Sequence, residues 1–172
     1  GANSTIEGAN QSVESVGPIT LENAGLLRGN VSLGSASQHA VTLLSGGQIQ
    51  GNLDMGGNSA STLTLSGAAP QLYSQAVTGS TTLAGALGVA SNAQWTLDRD
   101  LTPASTSIGA GGTLQLGNGG TTGSVGAGAI SNEGTLAINR SDAMLLASNI
   151  SGTGALVQQG TGTAILTCSN SY

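Results

Sequence analysis

The run VTLLSG that begins at Val41 returns as LTLSG at Leu63, twenty-two residues on, and no other feature restricts the fold of this chain as much. GNVSLG from Gly29 comes back as GNLDMG from Gly51 at the same offset, and IGAGGTLQLG from Ile108 aligns with ISNEGTLAIN from Ile130. A fixed period of this size marks a repeat architecture, in which each unit buries its apolar face against the next unit.

Inside each copy the large aliphatics alternate: Val31 and Leu33, Val41 and Leu43, Leu53 and Met55, Leu63 and Leu65, Leu114 and Leu116, Leu136 and Ile138. Period two puts them on one face of a strand and leaves Ser, Thr, Gln, Asp or Asn on the other. No window keeps an apolar stripe at helical spacing, and each helix-interior glycine costs about 1 kcal/mol relative to alanine. Glycine is 29 of 172 residues. The best helical candidate, DAMLLAS around Met144, is too short to stand alone, so the spacing predicts an all-β chain.

Two all-β architectures accommodate the period. In an antiparallel sandwich a unit of this length would be a pair of strands, whereas in a parallel β-helix it is one coil of a solenoid, with like residues stacked on like. The residue-for-residue match between copies favours the β-helix. About eight coils fit the chain, and at about 4.8 Å per coil the rod is roughly 38 Å long. A column of small aliphatics filling a narrow interior also accounts for the absence of Phe and for the scarcity of aromatics, which are Tyr73, Trp95 and Tyr172 alone. Glycine and asparagine fall at the bends, where left-handed backbone angles are needed.

Composition excludes several function classes. The chain is 38% apolar with a net charge of −5, which argues for order rather than disorder. Its only basic residues are Arg28, Arg99 and Arg140, too few for a nucleic-acid surface. There is no Lys and no Gly-x-Gly-x-x-Gly, so neither phosphate-binding glycine loop is present, and the glycines read as turn residues. Cys168 is the single cysteine, which rules out an internal disulfide and reads as a small apolar residue. No apolar run approaches the roughly 18 residues of a membrane helix, so direct insertion of this segment into a membrane is not expected. His39 is the only histidine; Ser37 and Asp54 are near it, but no nucleophile-elbow pattern supports a triad, and His39 is expected to face solvent on a loop. A zinc site, or any other cofactor, lacks ligands. Asp98 and Asp100 straddle Arg99 and read as a charged coil edge. Trp95 and Tyr73 are expected to cover an open end or a widened part of the core, the alternative being a contact patch for a host partner.

The last residues read Gly152-x-Gly154-x-Leu156-x-x-x-Gly160-x-Gly162-Thr163-x-x-Leu166 and end in Asn170-Ser171-Tyr172. This pattern closely resembles the passenger-associated transport repeat of bacterial autotransporters, the type V secretion family, and ISNEGTLAINRSD from Ile130 to Asp142 resembles the segment that leads into it. Ala164 stands where the pattern usually has Leu, and Cys168 where Gly or Ser is commoner. The resemblance implies a surface-displayed passenger, usually a right-handed parallel β-helix, followed by an outer-membrane β-barrel. It implies that this chain is similar to the C-terminal junction, or autochaperone, region of an AIDA-like or IcsA-like passenger, which emerges first and helps the rest to fold. The handedness rests on the resemblance alone.

The expected organisation is therefore regular passenger coils over 1–100 and C-terminal coils with a cap over 101–172, the passenger-associated repeat lying at 150–172. The expected cap or nucleus comprises Trp95, Tyr73, Leu114, Leu116, Leu136, Ile138, Leu156, Gly160, Gly162, Leu166 and Tyr172. A stable terminal coil lowers the nucleation cost of every coil added to it, which makes such a role physically reasonable. The expected partners are the remainder of the passenger and its barrel. The location is the bacterial cell surface, reached through the periplasm, with release after cleavage an open alternative. Other readings are an adhesin whose Ser, Thr and Asn faces bind a host protein or glycan, and an enzyme, which the residues do not support.

Overall fold

The structure, a computed structural model, describes residues 5–171. Alternating side chains and frequent turn residues give short strands. The first coils hold β1 (Thr5–Ser15), β2 (Thr20–Asn23), β3 (Leu26–Leu33), β4 (Ala40–Leu43), β5 (Gln48–Gln50), β6 (Leu53–Asp54) and β7 (Thr62–Leu65). The middle coils hold β8 (Gln71–Leu72), a single helical turn α1 (Tyr73–Ala76), β9 (Thr81–Thr82), β10 (Ala86–Val89), β11 (Gln94–Leu97), β12 (Ser105–Ile108) and β13 (Thr113–Leu116). The last coils hold β14 (Ala129–Asn132), β15 (Thr135–Ile138), β16 (Ala143–Leu146), β17 (Ile150–Ser151), β18 (Ala155–Gln158) and β19 (Thr163–Leu166).

Each strand pairs in parallel with its counterpart one coil away. β2, β4, β7, β10, β12, β14 and β17 form a seven-stranded sheet, and β8, β11, β13, β15 and β18 a five-stranded one. β1, β3, β6 and β9, with β5 also on β3, make a third sheet, and β16 pairs with β19. The chain is thus a parallel β-helix of about eight turns, the all-β solenoid that the repeat predicts.

The interior is a set of side-chain columns. Leu21, Val41, Leu63, Leu87, Thr106, Ile130 and Ile150 stack in register along the seven-stranded sheet. Trp95, Leu114, Leu136 and Leu156 stack along the five-stranded one. Both the Val31/Leu53 and the Val41/Leu63 alignments of the sequence are realised as paired strands.

DAMLLAS around Met144, too short for a helix of its own, is strand β16, in keeping with the all-β reading: Met144 and Leu146 alternate into the core, and the one described helix is the single turn α1. One expectation is corrected: the alignment of Ile108 with Ile130 is displaced by two residues, Ile108 lying beside Asn132 and Thr106 beside Ile130. Leu114 does face Leu136, so the turn after β14 is two residues shorter than the turn after β12 and absorbs the shift. Twenty-two residues is accordingly one coil length among several. Leu87 to Thr106 spans nineteen, Thr106 to Ile130 twenty-four and Leu136 to Leu156 twenty.

Candidate functional site

The expected nucleus divides into three places. Leu114, Leu116, Leu136 and Ile138 are buried in the β13 and β15 layers. One coil further on, Leu156 and Leu166 continue two interior columns but are half-buried. The column of Leu97, Leu116 and Ile138 ends in a polar residue, Gln158, whose side-chain amide donates to the carbonyls of Gly160 and Gly162. Those glycines sit where the tail coil crosses its predecessor: a Cβ on Gly160 would lie 2.2 Å from the Arg140 carbonyl oxygen, and one on Gly162 2.0 Å from that of Asp142. The spacing of the tail motif therefore reflects a steric demand between coils. Tyr172 lies outside the described residues.

Tyr73 and Trp95 are buried in the middle of the solenoid, away from its ends. α1 swells one coil and carries Tyr73 inward, where its hydroxyl is 2.7 Å from Thr81 Oγ1. Burial pushes the phenol well above its ordinary range, against smaller opposing effects of the Thr81 hydrogen bond and the Arg99 charge. Trp95 donates its indole N–H to the Ser66 carbonyl at 3.2 Å. Of the two readings for these aromatics, a widened core matches this placement.

The residues read as a charged coil edge do more than decorate it. Asp98 accepts from the backbone N–H and hydroxyl of Ser74, and Asp100 from the Gly123 N–H and the Ser124 hydroxyl. Arg99 donates to the carbonyls of Thr78 and Gly79. Arg140, which the sequence did not single out, donates to the carbonyls of Thr121 and Gly123 and pairs with Asp142 at 2.8 Å. The hydrogen bond to Arg140 holds the Asp142 carboxyl below the usual carboxylate range, and the same bond raises Arg140. These charges come from separate coils, so only the fold brings them to one corner, where they fasten the irregular loops of successive turns. The loop over Asn118 to Thr122 is exposed at this corner and held along its length: Gly119 N–H donates to the Asn139 carbonyl, the Gly120 carbonyl accepts from Ser141 N–H, and the Thr122 hydroxyl donates to the Asp98 carbonyl.

His39 does not face solvent, which corrects the sequence reading. It continues the inward alternation of Val41 and Leu43 and is 0% exposed. Its Nε2 lies 2.7 Å from the Gly34 carbonyl, while Nδ1 is buried without a partner. Ser37 and Asp54 make no triad with it: Ser37 donates to the Val16 carbonyl, and Asp54 accepts from Gly56 N–H. Among the described residues no three His, Cys, Asp or Glu side chains gather in a way that could hold a metal ion.

The outer face of the seven-stranded sheet carries a register-matched line of Glu22, Thr42, Thr64, Gly88, Ser107, Ser131 and Ser151. Its hydroxyls recur at the strand spacing of about 4.8 Å, a periodic array of donors and acceptors without bulk. No family model matches the chain, and neither a curated protein nor a solved structure is detectably similar to it. What the geometry defines is the class, a parallel β-helix whose specialised features are its terminal coils, its charged corner and its hydroxyl face.

Proposed function

We propose that this chain is the C-terminal part of the surface-exposed passenger of a bacterial autotransporter, and that it acts as an autochaperone that nucleates and caps the β-helix during secretion across the outer membrane. The reading rests on the likeness of the tail motif to the passenger-associated repeat and is supported by the parallel β-helix fold. One observation carries it: the motif folds into an unbroken coil contact on its predecessor. β15 pairs with β18, and β16 with β19, over four residues each without a break in register; at the N-terminal end β2 and β4 pair equally regularly, but β1 and β3 slip register twice. Regular local pairing is what a nucleus needs, because each later coil adds to a formed edge. On this reading the segment is not an enzyme, and its partners are the remainder of the passenger and the outer-membrane barrel. Urea unfolding of the isolated chain, followed by Trp95 fluorescence and far-UV circular dichroism, tests it. A cooperative β-type transition with coincident probes is expected; a chain unfolded at neutral pH sinks the proposal.

A second reading, an adhesive surface for a host protein or glycan, draws on the hydroxyl ladder, whose spacing suits repeated hydrogen bonding to a polyol. Alanine at Thr42, Thr64 and Ser107 together should then abolish host-cell binding while leaving the urea midpoint in place.

A further inference from the structure

Asparagine followed by glycine is the pair most prone to cyclise on itself, because no side chain shields the second backbone nitrogen from the carboxamide carbon of the first residue. Among the asparagines of the chain only Asn118 precedes a glycine. Gly119 takes a φ of +81°, a left-handed angle that strains any side chain, so the turn demands the glycine and the reactive pair comes with it. Both residues are exposed at the charged corner. Asparagines that precede serine in the described residues have their carboxamides engaged: Asn58 Oδ1 accepts from Ala60 N–H at 2.9 Å, and Asn170 bonds to the Ile150 N–H and the Cys168 carbonyl. Among the described residues no such bond holds the Asn118 carboxamide.

The fold restrains the other reactant. Gly119 N–H donates to the Asn139 carbonyl at 2.8 Å, and Asn139 N–H donates to the Leu116 carbonyl, so the nucleophilic nitrogen is fixed on the neighbouring coil. Cyclisation requires that nitrogen to lose its proton and to turn onto Cγ of Asn118. A carbonyl oxygen accepts a hydrogen bond without removing the proton, so the bond to Asn139 opposes both requirements. The loop beyond is tied as well. Ser141 N–H donates to the Gly120 carbonyl, Arg140 to the carbonyls of Thr121 and Gly123, and the Thr122 hydroxyl to the Asp98 carbonyl.

We propose that Asn118–Gly119 is a self-modifying site, silent while the corner is closed and reacting irreversibly when it opens. On opening, Gly119 N–H gives its proton to water or hydroxide and the nitrogen attacks Asn118 Cγ. The new C–N bond closes a five-membered imide, and the side-chain nitrogen takes up a proton and leaves as ammonia. Water then adds to either imide carbonyl and breaks its bond to the ring nitrogen, leaving aspartate or isoaspartate at position 118. The balance is one water consumed and one ammonia released, with no change of oxidation state. Both products add a carboxylate to a corner that already carries Asp98, Asp100 and Asp142. Isoaspartate also lengthens the backbone by one carbon, immediately before the N–H that Asn139 holds. Each change disfavours reclosure, so a transient opening becomes recorded in the covalent chain.

The test follows isoaspartate and the conversion of amide to acid by peptide mapping of the full chain, kept at pH 7.5 both folded and in urea. In urea the peptide bearing Asn118 should convert ahead of every other asparagine, and in the folded chain it should convert about tenfold more slowly or less. Hydrogen exchange of the Gly119 amide gives an independent number: one opening releases both reactions, so its protection factor should match the slowing within about threefold. Arg140→Ala, which frees the Thr121 and Gly123 carbonyls, should speed conversion in the folded chain, and Asn118→Gln should remove the product at this position. Should Arg140→Ala not fold, the wild-type match between exchange and conversion decides. No conversion at position 118 in urea, equal rates in urea and in the folded chain, product that accumulates faster than Gly119 opens, or a folded Arg140→Ala variant that converts at the wild-type rate each overturns the proposal.

Discussion

Thr106 occupies an aliphatic column between Leu87 and Ile130, and its buried hydroxyl has no hydrogen-bond partner. An orphaned hydroxyl carries a desolvation penalty that an isosteric methyl does not, so Thr106→Val should stabilise the chain by about 1 kcal/mol in urea unfolding. Tyr73 supplies the opposite case, a buried hydroxyl with a partner. Its folded phenol keeps its proton above pH 10, where the unfolded one loses it, so this contribution is intact below about pH 10 and is lost as pH rises beyond it. Tyr73→Phe should flatten the alkaline fall in stability and cost about 1 kcal/mol at neutral pH through the unpaired Thr81 hydroxyl, both read from urea midpoints across pH.

Strand identity was legible from alternation, since Val41, Leu43, Leu63 and Leu65 go inward as the sequence predicts. Coil length was not. Ile108 and Ile130 look equivalent in the sequence, but the extra residues in the turn after β12 move Asn132 opposite Ile108, and Asn132 is accommodated because its side chain donates to the Ala155 carbonyl and accepts from Gly134 N–H. The charged corner was equally hidden, because Ser74, Asp98, Gly123 and Arg140 lie on different turns and share no local motif. His39 was misread because a polar residue beside a loop gives no sign of which way it points; its place two residues before Val41 was the available signal. At this scale Arg140→Ala should cost about 2 kcal/mol, since it strips donors from the Thr121 and Gly123 carbonyls. Asp142, held below its usual range, stabilises the corner above about pH 4, and that contribution is lost as pH falls further. Asp142→Asn should remove this acid-side dependence, a difference visible in thermal melts between pH 5 and pH 2.

A solenoid distributes its stability by position, because each coil contacts only its neighbours. Leu136 is buried between Leu114 and Leu156, whereas Leu156 has a strand on one side only and is half-buried. Leu136→Ala should therefore cost about 3 kcal/mol and Leu156→Ala about 1, a comparison best made by unfolding both variants with the Trp95 signal. The same one-dimensional logic separates the coils from what hangs on them. The exposed loop from Asn118 to Thr122 is fastened on both sides of the Gly119–Gly120 peptide, by the Asn139 carbonyl at Gly119 and by Ser141 N–H, Arg140 and the Asp98 carbonyl at Gly120 to Thr122, and a Cβ at Gly119 or Gly120 would meet nothing within 4 Å. Lengthening a loop whose ends are already fixed costs only a logarithm of its length. A foreign peptide spliced between Gly119 and Gly120 would ride outside the rod without disturbing the register beneath it, which makes this corner a natural mount for grafted epitopes.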